Sequence, residues 1–600
     1  MKKLCVLLAI LLGIAAALLA FCLEDEPQVP VSVWLREEEE RIRLWEQEAE
    51  HVVVFLPGGV AMEDVILRAE TQGQVMLDGR ALDGETGCGG LMPGVDYLLT
   101  YPGWRGTESR MLRFVQGEGV PTLYLTTESG SLEKLHARKD NKEKGNLTLR
   151  DETGELLYSG AVSQISGRGN YTWEAFEKKP YSLELAQEAD LLGLGKASRW
   201  VLLANAADPS HVRNKAALDF AEKIGMAYTP GAAWVNVYAN GQYIGLYLLT
   251  ERNEIHPERV NISRNGGFLV SAEVESRLVK QGYTHFRTDM GRAMRVHGPE
   301  TAGETEIAAF AQIWNAAESA IMGRALLETV LDLDSWVKRY LMDEIFANVD
   351  GGYISQYFYY DPDQARVFAG PVWDFDLAMG SPTEWQLRSP RAFYANWETR
   401  GVPGETLWFA ELYQNETFRQ RLEEIYKDVC LPALEQLTGV ALDEYMSVIA
   451  PAARMDSLRW HGEATGPEAH AAQIRQYLEE RMAFLSSAWL EGQSYCQVRA
   501  YGGAHTSYAY YAVEPGQRLE ELPVLEDTET HMFLGWYDEK TGEPFDPEKP
   551  IREDTQIYGL WQEKPGKKLE QLGKLLPAGA AALLFMMVLA ANVRRMRKGG

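Results

Sequence analysis

The chain carries NVD at residues 348–350, QYFYY at 356–360 and GPVWDFDLAMG at 370–380, and these three stretches decide its interpretation. Asp350 directly follows a helix that apolar residues at every fourth position predict over 333–345. Asp374 and Asp376 lie in a turn after a short strand predicted at 365–368. The pattern therefore places three carboxylates on loops next to regular elements.

These residue types suit phosphoryl transfer. That reaction needs one carboxylate to orient the attacking hydroxyl and accept its proton, and others to hold Mg²⁺ against phosphates. Asp350, the amide of Gln356 and the carboxylate of Asp374 can supply this set. Aspartates in loops also form turns and cap helices, so spacing alone leaves both interpretations open.

Further blocks precede these stretches: GRGN at 167–170 with Trp173, KKPYSL at 178–183, WVLL at 200–203, DPSHVRN at 208–214 and GQYIGLYLLTE at 241–251. Together with N-x-D, the Q-Y-F-Y segment and P-V-W-D-x-D, they resemble the ordered motifs of the spore coat protein H (CotH) family. The resemblance covers residues 119–490. It implies an atypical protein kinase-like, two-lobed domain that uses ATP and Mg²⁺ or Mn²⁺ to phosphorylate protein hydroxyls.

The resemblance also implies roles for the acidic and amide residues. Asp350 would be the catalytic aspartate and Asp374 the metal-binding one, with Asp376 and Gln356 as further metal candidates. Asp376 has an alternative role as a hydrogen-bonding partner within its own loop. The family pattern has Asn where this chain has Gln356, and the longer side chain changes the geometry of any ligation.

The basic and remaining candidates concern the nucleotide. Lys179 is the first candidate to pair with phosphates, with Lys178 as its rival, since adjacent side chains on a strand face opposite sides. Arg168 is a second phosphate candidate, or it binds backbone carbonyls within its glycine-flanked turn. Glu251 is a candidate where the two lobes join, or it caps a turn. No convincing glycine-rich phosphate loop accompanies them.

The overall composition bounds the class of protein. With 600 residues the chain is expected to fold as three or four domains, and its formal net charge of −27 disfavours nucleic acid as a partner. Its 5 cysteines show no disulfide or zinc spacing. We therefore expect an α+β multidomain protein in which no nucleic-acid or zinc site is visible from composition.

Flanking regions complete the predicted organisation. Residues 24–118 alternate and turn frequently, which predicts a small β-sandwich of immunoglobulin-like type. Residues 497–563 carry F-L-G-W-Y, T-G and I-Y-G-L-W, and resemble one internalin-type B repeat (Listeria–Bacteroides repeat), a β-grasp-like module of bacterial surface proteins. Neither region shows residues with evident chemistry.

The two ends predict a membrane location. Within residues 1–23, Lys2 and Lys3 precede an apolar run at 4–23. This arrangement is typical of a signal peptide or an N-terminal anchor. Residues 575–593 are apolar and precede the basic tail 594–600, which predicts one C-terminal transmembrane helix by the positive-inside rule. The main body is therefore expected outside the cytoplasm, anchored at the cell membrane.

Two functions remain open from the sequence. The first is an extracytoplasmic kinase that binds a nucleotide and phosphorylates a protein substrate on the cell surface. The second is a non-catalytic cell-surface scaffold or adhesion protein with a kinase-shaped domain. The substitution at Gln356, the missing glycine-rich loop and the surface-type repeat favour the second, whereas the retained aspartates favour the first.

Overall fold

The computed structural model describes residues 29–564, except 37–39, 48–49, 72, 104–105, 349, 351–353, 382–385, 396–407, 504–507, 520–521 and 523–524. The predicted segments 1–23, 575–593 and 594–600 lie outside these residues. The described chain is a mixed α+β structure that divides into two units. One unit is formed within Met1–Ser381 and Tyr394–Met482, and the other within Pro382–Phe393 and Ala483–Gly600.

The first part of the larger unit is built from two sheets. Their strands are β1 (Val31–Leu35), β2 (Glu40–Ile42), β3 (Trp45–Gln47), β4 (His51–Pro57), β5 (Val65–Ala69), β6 (Met76–Leu77), β7 (Arg80–Ala81), β8 (Glu85–Gly87), β9 (Asp96–Gly103) and β10 (Gly106–Gly117). One sheet has the order β2-β1-β5-β8 and the other β3-β4-β10-β9-β6-β7. Residues of both sheets, such as Val33, Val54 and Phe114, share one apolar core.

A closed barrel of seven strands follows in the order β11-β12-β13-β14-β15-β17-β16. Its strands are β11 (Thr122–Thr127), β12 (Lys142–Arg150), β13 (Leu156–Gly167), β14 (Tyr181–Asp190), β15 (Lys196–Leu203), β16 (Ala232–Ala239) and β17 (Gln242–Glu251). The turn between β16 and β17 uses Asn240 at φ 51° and Gly241 at φ 79°. Two positive φ angles match the right-handed twist of a two-residue hairpin, which explains the Asn-Gly pair.

A five-stranded sheet carries the stretches from which the interpretation began. It has the order β19-β20-β18-β21-β22, with β18 (Phe268–Glu273), β19 (His285–Arg287), β20 (Ala293–Gly298), β21 (Gln356–Asp361) and β22 (Arg366–Ala369). Phe358 and Val270 are cross-strand partners. Phe358 packs against Trp314 and Trp336, with ring centroids at 5.1 and 5.0 Å. One face of the sheet is therefore apolar and covered by helices.

The helices concentrate in the second half of the chain. They are α1 (Glu133–Ala137), α2 (Tyr171–Ala175), α3 (Arg213–Lys223), α4 (Glu275–Gln281), α5 (Glu304–Ile321), α6 (Leu333–Ile345), α7 (Trp408–Gln414), α8 (Glu416–Ile425), α9 (Leu431–Gln436), α10 (Leu442–His461) and α11 (Glu468–Trp489). Asp332 caps α6 by accepting a hydrogen bond from the Ser335 amide at 2.9 Å. This cap fixes where the helix that leads into the candidate site begins.

The smaller unit contains one sheet of order β23-β25-β24-β27-β26. Its strands are β23 (Gln386–Arg388), β24 (Cys496–Tyr501), β25 (Tyr508–Val513), β26 (His531–Asp538) and β27 (Thr555–Glu563). Val498, Trp536 and Ile557 lie in its core. The aromatic residues that suggested a repeat thus serve at least in part as packing groups.

The predicted membrane anchorage needs correction. Among the residues that the structure describes, no helix is both long and apolar enough to cross a bilayer. Helix α11 has 22 residues, which is long enough, but it carries charged residues such as Arg475, Glu479 and Glu480. The predicted location at the cell membrane is overturned on this finding, and the segment 575–593 itself lies outside the described residues.

Candidate functional site

Part of the second face of the five-stranded sheet is polar. Tyr357 on β21 pairs with Ser271 on β18, and Ser271 pairs with Arg295 on β20. Residues directly opposite one another in a sheet place their side chains on the same face. His297 shares this face. A hydrogen bond of 2.8 Å joins its ring to the Ser271 hydroxyl, and the ring centroid lies 4.8 Å from that of Tyr357. The sheet thus presents a row of polar side chains away from its helices.

The loop that follows β22 brings Asp374 to this face. The Ser355 hydroxyl, which precedes β21, donates to Asp374 Oδ2 at 3.0 Å. The backbone amide of Phe375 donates to Asn214 Oδ1 at 2.8 Å, and Arg213 Nε donates to the Ala378 carbonyl at 2.9 Å. The start of α3 therefore holds the loop from the barrel side.

The buried pair of Arg213 and Asp208 explains why α3 can hold the loop. Both Asp208 oxygens accept hydrogen bonds from Arg213, one from its backbone amide at 2.9 Å and one from its guanidinium. Burial raises the pKa of Asp208, but Arg213 and the hydrogen bonds together hold it below its usual value. The motif DPSHVRN is thus a local structure that positions the loop, and Arg213 acts through the backbone of Ala378.

The charges of two other loop aspartates act on Asp376. Burial raises the pKa of Asp376 well above its usual value, and the negative charges of Asp374 and Asp350 raise it further. Asp208 adds to this repulsion, whereas Arg168 opposes it. Like charges that cannot all ionise in one site are relieved when a cation binds among them. The charges of Asp350 and Asp374 therefore reach Asp376, and the roles predicted for these three carboxylates stay predictions.

Arg168 provides the positive counterpart. It follows β13 and stacks on Trp373, with its guanidinium carbon 5.3 Å from the ring centroid. Burial lowers the pKa of Arg168, while the charge of Asp374 and, more weakly, that of Asp376 oppose this shift. A half-buried guanidinium beside these aspartates is well placed for an anion such as a phosphate.

The backbone around these aspartates is strained. Ala347, Ser355, Asp374 and Met379 have φ of 48°, 55°, 70° and 54°, a left-handed region that residues other than glycine rarely adopt. Each such residue costs on the order of 1 kcal/mol or more. Strained residues that cluster on loops are found at functional sites, because the surrounding contacts hold reactive groups in one arrangement.

Asp343 braces both ends of the loop between α6 and β21 and was missed by the sequence analysis. Its carboxylate accepts hydrogen bonds from Arg339 Nε at 3.1 Å, from Asn348 Nδ2 at 3.3 Å and from Gln356 Nε2 at 2.7 Å. Asn348 Oδ1 in turn accepts from the backbone amide of Asp350 at 3.2 Å. The Arg339–Asp343 spacing of four residues on a predicted helix was the signal available, but such pairs are common on exposed helix faces.

Gln356 lies on the face of the sheet opposite Ser355 and Tyr357, toward α6. Its amide nitrogen is bound to Asp343, and it is fully buried. Its Oε1 is a buried oxygen without a hydrogen-bond partner in the described structure. The structure therefore does not bring Gln356 and Asp374 together directly, because neighbouring residues on a strand point to opposite faces.

The two adjacent lysines have different surroundings. Lys178 is buried, and its Nζ donates to Asp456 Oδ1 at 2.5 Å and to the Leu246 carbonyl at 2.7 Å. Lys179 is half-buried, and its Nζ donates to the carbonyls of Trp173, at 2.6 Å, and Phe176. Neither amine is hydrogen-bonded to an aspartate of the candidate site, so the predicted phosphate role of Lys179 stays a prediction.

Glu251 is also engaged elsewhere. Its carboxylate accepts from Arg259 at 2.5 Å and from the backbone amide of Gly231 at 2.9 Å. Burial raises its pKa, although Gly231 and Arg259 oppose the shift. Glu251 thus ties the end of β17 to the residue before β16 and to Arg259.

The aspartates do not form a closed metal cage by themselves. Across the described ranges, no group of three or more His, Cys, Asp or Glu side chains is arranged to hold a metal ion. Mg²⁺ commonly takes only one or two protein carboxylates and completes its shell with water and substrate phosphates. The charges around Asp374 and Asp376 fit a site of this shared kind.

Comparison with known proteins gives one match. The family model described as CotH kinase protein matches residues 165–485, just over half of the 600 residues. The matched range contains the candidate site from Arg168 to Asp376. A search of curated proteins returned no match.

Proposed function

Because this chain belongs to the CotH kinase protein family, we propose that it is a phosphotransferase that moves a phosphate from ATP to a protein hydroxyl with a divalent metal. The observation that supports this proposal most is that the charges of Asp350, Asp374 and Arg168 all act on the buried carboxyl of Asp376. Phosphoryl transfer depends mainly on positioning and charge stabilisation, which is what such a set offers.

Each residue has a distinct part in the proposed reaction. Asp350 orients the acceptor hydroxyl and accepts its proton. Asp374, with Asp376 beside it, would hold Mg²⁺ or Mn²⁺, which supplies charge neutralisation for the phosphates. Arg168 binds phosphate oxygens through its guanidinium. Asp343 and Ser355 keep the two loops in register by their hydrogen bonds to Gln356, Asn348 and Asp374.

A labelled-transfer assay on the full chain tests the proposal. The protein is incubated with γ-labelled ATP, Mg²⁺ or Mn²⁺ and a panel of serine- and threonine-containing proteins. We expect Asp350→Asn and Asp374→Asn each to reduce transfer at least about 100-fold. Asp363→Asn is the matched control, because it removes an exposed carboxylate from the turn between β21 and β22. Equal transfer by wild type and Asp374→Asn would reject the metal role.

A second candidate is a non-catalytic scaffold with a kinase-shaped domain. The observation in its favour is that Gln356 is bound to Asp343 on the helix-covered face, while Lys179 is bound to backbone carbonyls. Calorimetry of the full chain with ATP and Mg²⁺ separates the two candidates. Submillimolar binding that Asp374→Asn abolishes supports the phosphotransferase, and absence of heat supports the scaffold.

The flanking modules are proposed as non-catalytic. We propose that residues 24–118 act as a β-sandwich spacer and that residues 497–563 are one internalin-type B repeat. The two-sheet core of the first region and the aromatic sheet of the second support these assignments. Deleting residues 497–563 should leave labelled transfer unchanged, and loss of transfer with the fold intact would contradict this.

A further inference from the structure

The turn that carries Arg168 is bound by a lysine from outside the region that the family model matches. Lys139 lies in the loop between α1 and β12, whereas the matched region begins at residue 165. Its Nζ donates to the Gly169 carbonyl at 2.8 Å and to Asn170 Oδ1 at 3.1 Å. Lys139 therefore holds the two residues that directly follow Arg168.

Both groups that Lys139 binds belong to a turn with special backbone needs. Gly169 has a φ of +75°, in the left-handed region that favours glycine. Asn170 occupies the N-cap position of α2, where an asparagine usually accepts a hydrogen bond from a helix amide. Among the described residues its side chain caps no such amide, and its Oδ1 accepts from Lys139 instead. The lysine thus replaces a local cap.

The other side of the turn is held by Trp173. A Cβ added at Gly167 would lie 2.3 Å from the Trp173 ring, so the ring packs directly against the backbone that precedes Arg168. Lys179 Nζ donates to the Trp173 carbonyl at 2.6 Å. The backbone amide of Arg168 donates to the Pro180 carbonyl at 3.2 Å. The backbone is therefore fixed both before and after Arg168.

The position of this turn decides where the Arg168 guanidinium lies. Its guanidinium carbon is 5.3 Å from the centroid of the Trp373 ring, and Trp373 directly precedes Asp374. An arginine on a loose turn must lose more conformational entropy when it binds a ligand than an arginine on a turn that is already fixed. Contacts that fix the turn should therefore tighten the binding of an anion by Arg168.

The charges around Lys139 agree with this arrangement. Burial lowers the pKa of Lys139, the charges of Asp140 and Glu174 oppose this shift, and those of Arg277 and Arg168 add to it. Repulsion between cations falls when an anion binds beside them. The contacts of Lys139 with Gly169 and Asn170 place it at the turn independently of these influences.

We propose that Lys139 is a positioning residue for the nucleotide: it holds the turn at Gly169 and Asn170 so that Arg168 meets the phosphates of ATP. The proposal rests on the proposed phosphotransferase function and on the phosphate role of Arg168. Lys139 acts through Arg168 and is assigned no contact with the nucleotide. Direct attraction of the phosphates by the Lys139 charge is the competing explanation, and the test separates the two.

The test titrates ATP with Mg²⁺ into the full chain and measures the dissociation constant by calorimetry. We expect Lys139→Met to raise Kd about three- to tenfold, because Arg168 is no longer held before binding. Arg168→Gln should raise Kd at least about tenfold. Lys144→Met is the matched control, because it removes the same charge from an exposed position on β12, and it should leave Kd unchanged.

A double variant distinguishes positioning from direct attraction. If Lys139 acts through Arg168, Lys139→Met/Arg168→Gln should bind ATP as weakly as Arg168→Gln alone. If the lysine attracts the phosphates directly, the two losses should multiply, and this result would overturn the proposal. Lys139→Arg keeps the charge and the donors, so it should recover most of the affinity that Lys139→Met loses.

Hydrogen exchange without nucleotide tests the turn itself. The reporter is the backbone amide of Arg168, which is bonded to the Pro180 carbonyl. Its exchange should be at least about tenfold faster in Lys139→Met than in wild type and unchanged in Lys144→Met. Thermal unfolding checks that each variant is folded. Equal exchange at Arg168 in wild type and in folded Lys139→Met would overturn the positioning role.

Labelled transfer on the same variants separates this proposal from the proposed function. Weaker ATP binding by Lys139→Met, without labelled transfer by wild type, would support the positioning role and reject the phosphotransferase. Labelled transfer by wild type, with an unchanged KM for ATP in Lys139→Met, would support the phosphotransferase and reject the positioning role. A wild-type chain that binds no ATP with Mg²⁺ would reject both.

Discussion

Replacing Lys178 by methionine should destabilise the larger unit strongly, although replacing its neighbour Lys179 should not. The side chains of Lys178 and Asp456 are 4% and 5% exposed, with Nζ and Oδ1 at 2.5 Å. In Lys178→Met the Asp456 carboxylate remains buried without its cation. Removal of one partner from a buried ion pair costs about 3–5 kcal/mol of unfolding free energy. Lys179→Met removes two hydrogen bonds to carbonyls from a half-buried position and should cost about 1 kcal/mol.

Other groups around Asp456 do not replace the lost cation. His211 Nε2 lies 3.5 Å from Asp456 Oδ2, but burial, the largest influence, lowers the His211 pKa to about 4. His211 is therefore neutral at pH 7. The Leu246 amide also donates to Asp456 Oδ1 at 2.7 Å, and this hydrogen bond is neutral. Loss of Lys178 removes one charge that lowers the His211 pKa, but burial remains the largest influence, so most of the cost of the unpaired carboxylate should appear at pH 7.

Hydrogen exchange measures this cost locally. The reporter is the backbone amide of Leu246 on β17, which is bonded to Asp456 in the folded protein. Its opening free energy should fall by about 3–5 kcal/mol in Lys178→Met and by about 1 kcal/mol in Lys179→Met. The double variant Lys178→Met/Asp456→Leu should recover most of the loss, because no buried charge remains unpaired.

The reasoning fails if the two single variants give equal opening free energies at Leu246. It also fails if the double variant is no more stable than Lys178→Met. Confirmation would mean that a loss of transfer in Lys178 variants reports unfolding, so that Lys179 and Arg168 remain the basic residues to examine for phosphate binding.

Three other outcomes are expected. The Asp376 carboxyl has a raised pKa in the folded protein, so the protein loses stability as the pH rises from the unfolded pKa of this group to its folded pKa. Asp376→Asn should therefore raise the melting temperature at pH 7 and flatten the pH dependence of the melting temperature. Asp343→Ala should lower kcat for transfer at least about tenfold with little change in KM for ATP, since Gln356 loses its acceptor at 2.7 Å; unchanged kcat in a folded variant would contradict this. Gly245→Ala should lower unfolding free energy by more than about 2 kcal/mol in urea denaturation, because its Cβ would lie 2.4 Å from Asp456 Oδ1 at a φ of +123°.

Several local features were predictable from sequence because they depend on near neighbours. The apolar spacing and the acidic residue before it predicted α6 and its cap, which Asp332 provides. An Asn-Gly pair is a local hairpin signal, and Asn240-Gly241 forms the turn between β16 and β17. The carboxylates in 348–350 and 370–380 were predicted to lie on loops beside regular elements, and the family resemblance is confirmed over 165–485.

The predicted membrane location was corrected because no helix of the described chain has the required length and apolarity, and the predicted segment 575–593 lies outside that chain. The local roles of Lys178 and Glu251 were also open from sequence. Both turned out to be held in ion pairs, with Asp456 and Arg259. Such partners cannot be inferred from spacing, because Lys178 and Asp456 are 278 residues apart in the chain.

The sequence by itself determined which residues carry charge, that a helix lies near 333–345, and to which family the central region belongs. Only the tertiary structure decided that Tyr357, Ser271 and Arg295 share one face while Gln356 faces α6. The physical reason is that a strand alternates its side chains between two faces, so the register with distant strands decides which groups meet. Charges that are far apart along the chain become one site only when that register and the covering helices are set.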